Sequence, residues 1–161
     1  MNLEDIIGPV MIGPSSSHTA GAVRIGLAGR RLLGEEIAEA EILLHGSFLA
    51  TGKGHGTDLA IIAGLLGFAV EDERIRAAYS YAQKAGLRYT IAGIDLGEKV
   101  HPNTVKLLLT GKSGKSLELV ASSIGGGRVQ IVEKDRESVS LDEAGEPIDG
   151  DWKNAYIGKR G

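Results

Sequence analysis

The chain of 161 residues contains no cysteine. Disulfides, thiolate nucleophiles and thiolate metal ligands are therefore excluded within it. Aromatic residues are scarce, with one Trp, two Phe and four Tyr, which is thin material for a base-stacking platform. Basic charge is in deficit too. Eighteen Lys and Arg stand against 21 Asp and Glu, for a net charge of -3, whereas a nucleic-acid binder displays a basic stripe. No apolar run approaches the ~20 residues of a membrane span. The acidic start Met1-Asn2-Leu3-Glu4-Asp5 lacks a signal-peptide pattern. The economical reading is a soluble, cytoplasmic, single-domain protein with no nucleic-acid or membrane partner, long enough to bury a proper core.

What the chain has in abundance is glycine, 24 residues gathered in short segments, which points to tight turns and close backbone approach. The most informative segment is Gly13-Pro14-Ser15-Ser16-Ser17-His18-Thr19. It sets three Ser, a His and a Thr behind a Gly-Pro turn and ahead of a helical run expected at about residues 20–33. Free N–H groups at that helix start suit a carboxylate or phosphate, and His18 adds a group that titrates near neutral pH. The plainer reading is a helix cap, which needs only one Ser or Thr.

Periodicity gives the expected elements. Ala22, Ile25, Ala28, Gly29 and Leu32 share one helical face. Gly21, Gly26 and Gly29 cost helix propensity there, which makes sense if the helix packs closely on a neighbour. Residues 42–44 read as a short buried strand. Leu59, Ile62, Ala63 and Leu66 predict a helix capped by Thr57 and stopped at Gly67. Asp72 caps a further helix expected to bury Ile75, Ala78, Tyr79 and Ala82, with Gly86 closing it. The period then changes toward two. Strands are expected at 89–94, 104–110, 116–122 and 128–133, with a hairpin loop at Gly111-Lys112-Ser113-Gly114-Lys115. This order predicts an α+β fold with a mostly antiparallel or mixed sheet. From residue 135 the chain reads as a charged, turn-rich tail anchored by Trp152 and Tyr156.

Three further segments carry chemistry. Gly52-Lys53-Gly54-His55-Gly56-Thr57-Asp58 could cradle an anion, and Lys53 and His55 are more than a turn requires. It misses the dinucleotide fingerprint, which needs Gly where Thr57 stands. His101-Pro102-Asn103-Thr104 precedes a strand, and Pro102 holds His101 extended. Ser122-Ser123-Ile124-Gly125-Gly126-Gly127 reads as a bulge or as backbone pressed against a neighbour. Gly114-Lys115-Ser116 imitates the end of a P-loop but has Leu109 where the first Gly belongs. The four His lack metal-ligand spacing, so no metal site is assigned.

Taken in order, Ile6-Ile7-Gly8-Pro9-Val10, the Ser-rich segment, Gly46-Ser47 and these three segments resemble the bacterial iron–sulfur L-serine dehydratases, over about residues 4–133. The match is to the β chain of the two-subunit type. The resemblance implies an L-serine ammonia-lyase that yields pyruvate and ammonia. It implies a [4Fe–4S] cluster held by cysteines of a partner α chain, no pyridoxal phosphate, and a hetero-oligomer. It implies an α-β-α-β-β-β unit over residues 1–134 whose mixed four-stranded sheet is packed by helices. That unit is similar to the allosteric substrate-binding domain of some phosphoglycerate dehydrogenases. Family β chains continue into an ACT regulatory domain, which the tail at 135–161 does not resemble. His18 is the first candidate for the catalytic group, as base or substrate anchor. Ser15, Ser16, Ser17 and Thr19 are candidates for the substrate carboxylate, and Lys53, His55, His101 and Asn103 for the pocket lining. A module that senses serine or a small anion without chemistry, and a purely structural partner of the α chain, are the rival readings.

Overall fold

The computed structural model describes residues 16–52 and 56–138. The described residues begin with α1 (Ser16–Leu33), then β1 (Ile37–Gly46), the short α2 (Ser47–Gly52) and α3 (Thr57–Leu65). A 3-10 turn (Glu73–Ala77) leads into α4 (Ala78–Ala85). Five strands follow: β2 (Arg88–Gly93), β3 (Asn103–Gly111), β4 (Ser116–Ser123), β5 (Val129–Lys134) and the two-residue β6 (Glu137–Ser138). They form one sheet in the order β2-β1-β3-β4-β5-β6. Only β1 and β2 run parallel; every other neighbouring pair is antiparallel. The fold is α+β with a mixed sheet packed by helices, as the sequence predicts. Among the described residues the sheet holds six strands: the five read from the sequence and the two-residue β6, which is too short to show a period, where the resemblance implies four.

Strand alternation decides where the core sits. Ile42 and Leu44 of β1, Val105, Leu107 and Leu109 of β3, and Leu117, Leu119 and Ala121 of β4 are buried. Their neighbours Glu39, Glu41, Ser116 and Lys106 are exposed or half-buried on the other face. α1 lies across β3, β4 and β5 and packs along α3, which in turn touches α4. Residues 60–65 of α3 are all buried, so this helix is enclosed on every side, as an all-apolar helix must be. Close contact requires glycine at the crossing: a Cβ on Gly26 would meet Leu65 N at 2.8 Å, and one on Gly64 would meet Leu27 N at 2.8 Å. Among the described residues, no helix is long and apolar enough to cross a membrane.

Several expectations are corrected. α1 begins at Ser16, so Ser16, Ser17, His18 and Thr19 form its first turn instead of a loop ahead of it. The first turn tolerates hydroxyls because its N–H groups have no intrahelical partner. β1 is longer than 42–44. α2 occupies a stretch where no helix was expected, anchored by the fully buried Phe48. Gly56, not Thr57, is the N-cap of α3, at a left-handed φ of 108°. Asp72 does cap, accepting from Arg74 N–H at 2.9 Å, but it opens the 3-10 turn. Tyr79 is 39% exposed, because its ring lies along Tyr89 at 5.8 Å instead of entering the core. Gly125, Gly126 and Gly127, all at positive φ, make the turn of the β4–β5 hairpin instead of a bulge.

Candidate functional site

α1 and α3 run side by side in the same direction, since Gly26 meets Gly64 and Arg30 reaches on to Leu65 O and Gly67. Gly21 of α1 lies against Ser123, the last residue of β4. The register carries that level across the sheet: Ser122 is opposite Thr104, and Thr104 is opposite His45 near the end of β1. The start of α1, the end of β1, the start of β3 and the Gly125–Gly127 turn therefore share one end of the molecule. An α-helix leaves its first four N–H groups unpaired and carries partial positive charge there. Ser16, Ser17, His18 and Thr19 supply those groups in α1.

The candidates are thus distributed as follows. Ser16, Ser17 and His18 are placed by backbone in the first turn of α1, with Thr19 half-buried beside them. Ser15, Lys53 and His55 lie outside the described residues. His101 is exposed just before β3, and Asn103 is the first residue of β3, paired with Gly46. The backbone N–H of Asn103 donates to His101 Nδ1 at 3.0 Å. A neutral imidazole that accepts at Nδ1 carries its proton on Nε2, so His101 presents a hydrogen-bond donor to its surroundings. Asn103 Oδ1 is buried with no hydrogen-bond partner. A buried acceptor left unpaired costs about 1–3 kcal/mol, and at a site it suits a ligand's donor.

Other groups at this end were not among the site candidates read from the sequence, although Thr104 and Ser122 lie within segments noted there. His45 is buried, and its Nδ1 accepts the Leu96 N–H at 3.0 Å, pinning the loop at 94–102 over the sheet end. Arg24 Nη1 donates to Gly127 O at 2.8 Å, while its Nε is buried and unpaired. This joins α1 to the glycine turn. Thr104 and Ser122 are buried hydroxyls 2.6 Å apart. A signal for that pair was present: both positions are equidistant from Ser113, the centre of the expected hairpin loop. At the start of α3, Asp58 is buried and accepts from Leu59 N–H at 2.8 Å and from the Tyr79 hydroxyl. Burial, and then the Asp58 carboxylate, push the Tyr79 phenol above the usual tyrosine range.

Comparison with known proteins supplies the family. Residues 5–95 match the serine dehydratase beta chain family. This chain belongs to that family. It is 51% identical over 129 residues to the probable L-serine dehydratase beta chain of Bacillus subtilis, covering 80% of this chain and 58% of that one. It is 44% identical over 128 residues to the L-serine dehydratase beta chain of Peptoniphilus asaccharolyticus, with the same two coverages. The L-serine dehydratase of Haemophilus influenzae is 34% identical over 99 residues, which cover 56% of this chain and 21% of that protein. The chain thus spans a little over half the length of the two beta chains it matches. The family match runs from before α1 to just past β2 and takes in the Ser-rich segment and residues 53–55.

Proposed function

We propose that this chain is the β subunit of an L-serine ammonia-lyase that converts L-serine to pyruvate and ammonia together with a partner α chain. The observation that carries the reading is its 44% and 51% identity to two proteins named as L-serine dehydratase beta chains. The reading includes a [4Fe–4S] cluster. Among the described residues this chain offers that cluster no ligand set. It has no cysteine, and among the described residues no three His, Asp or Glu gather to hold a metal. The cluster is accordingly assigned to the α chain, and the part of the β chain is to bind substrate and move a proton.

In this proposal the α1 start receives the serine carboxylate through its free N–H groups and the hydroxyls of Ser15, Ser16, Ser17 and Thr19. His18, in the same turn, takes the Cα proton. Loss of the hydroxyl as water leaves aminoacrylate, whose imine tautomer is hydrolysed to pyruvate and ammonia. Asn103 Oδ1, buried and unpaired, accepts from the substrate ammonium. His101 donates through Nε2, and Lys53 and His55 complete the lining.

The test is anaerobic pyruvate formation from L-serine, with the α chain loaded with its cluster, in the presence and absence of this chain. Turnover confined to the mixture is expected. Equal turnover by the α chain alone overturns the catalytic reading and favours a serine-sensing module. In the active mixture, His18→Ala is expected to lower kcat by about 10²–10⁴-fold while the two chains still co-elute. A kcat near wild type would remove His18 from the chemistry.

A further inference from the structure

Beneath the exposed His101 lies a polar chain that the sheet does not need for packing. Thr104 is fully buried and Ser122 is 1% exposed. They face each other in register on adjacent strands, where two valines would satisfy the pleat as well. The direction of their bonding can be deduced. Thr104 Oγ1 donates to the His101 carbonyl at 2.6 Å. A threonine hydroxyl has one proton. In the 2.6 Å contact between Thr104 Oγ1 and Ser122 Oγ, Ser122 must therefore be the donor. The chain runs Ser122 to Thr104 to the His101 carbonyl, each bond strengthening the next.

The same residue is held from its side chain. Asn103 N–H donates to His101 Nδ1, so carbonyl and ring are both fixed and only the Nε2 edge remains free. We infer that Thr104 and Ser122 are positioning residues, which aim the Nε2–H of His101 at the bound substrate. This rests on the proposal that His101 lines the serine pocket. It assigns His101 to binding through a donated hydrogen bond, leaving proton abstraction to another group.

The experiment uses the assembled complex with ¹⁵N-histidine in the β chain. Thr104→Val removes the hydroxyl at nearly constant shape. It is expected to raise KM for L-serine about five- to tenfold, the equivalent of one hydrogen bond, with kcat essentially unchanged. The ¹⁵N signals of His101 are expected to move in the same variant. Thr104→Ser keeps the donor and is expected to restore both readouts, which a loss of packing alone would not allow. KM and ¹⁵N signals at their wild-type values in Thr104→Val overturn the inference. So does a moved ¹⁵N signal without a change in KM, or a failure of Thr104→Ser to restore. If Thr104→Val does not fold, Ser122→Ala, which removes only the first donor, is judged by the same two readouts. A wild-type complex with no serine turnover overturns the lyase reading instead, and the ¹⁵N signals then decide the positioning separately.

Discussion

Asp72 shows how one short side chain sets a local pH response. Its carboxylate holds the Arg74 guanidinium, with Oδ2 to Nη2 at 2.6 Å, and also the Arg74 N–H. These bonds bring its pKa down to about 2, from about 3.9 in an unfolded chain. A depressed carboxyl contributes stability above the unfolded value and loses it as pH falls through the folded one. Thermal melts of the wild type should therefore fall between about pH 4 and pH 2 more steeply than those of Asp72→Asn; parallel curves would refute the link. Tyr79 gives a second residue-scale prediction. Its phenol is raised by burial and by Asp58, and that of Tyr89, stacked on it, is raised by burial and by the same carboxylate, so ultraviolet titration should show a late-ionising component. That component should shrink in Tyr79→Phe. The sequence showed Tyr79 only as a member of an apolar face. Its pairing with Asp58 joins two helices separated by a turn of irregular backbone, and no local period encodes such a contact. The local placement of His101, by contrast, was legible from Pro102 and the strand that follows, while its candidacy for the pocket came from the family resemblance.

Among the elements, the seam between α1 and α3 depends most narrowly on residue choice. Gly26 and Gly64 meet backbone to backbone: a Cβ on Gly64 would sit 2.9 Å from Gly26 Cα. Backbone cannot swing aside as a side-chain tip does. Gly26→Ala or Gly64→Ala is expected to cost about 1–3 kcal/mol or more, read as a lowered urea midpoint. A midpoint at the wild-type value would show that the helices can part freely. The close packing of α1 was readable, since three glycines in a helix make sense only against a near neighbour. Its start was not. Hydroxyl residues compete for turn and cap positions, and the segment 15–19 satisfies either description until the helix is seen to reach Ser16. α2 escaped notice because six residues are too few for a helical period, and Phe48 alone drives its burial.

For the whole molecule, the sheet order sets a gradient of stability. β1 and β3 are hydrogen-bonded on both sides and covered by helices on one face, whereas β2 is an edge and its residues are exposed or half-buried. Hydrogen exchange should therefore be slowest at Ile42, Leu44 and Leu107, and markedly faster at Thr90 and Ala92. Uniform protection across the sheet would contradict this order. The α+β class was legible because helical and strand periods fall in separate halves of the chain. Which strands become neighbours was less so. β1 pairs with β2 in parallel and with β3 in the opposite sense, a choice made by the burial of Ile42 between Ile91 and Leu107 and not by any turn.

That same placement of β1 at the middle of the sheet shapes how the chain is born. β1 leaves the ribosome early, but Ile42 waits for Ile91 and then Leu107 before its ladder is complete. Until then its apolar row has only the helices to lean on. Pairings so distant in the chain are slow to form and leave strand edges open meanwhile. A nascent chain halted before residue 103 would hold its helices and a two-stranded parallel ribbon, but not the strand that closes the core. Chaperone demand should accordingly peak while β3 is still inside the exit tunnel.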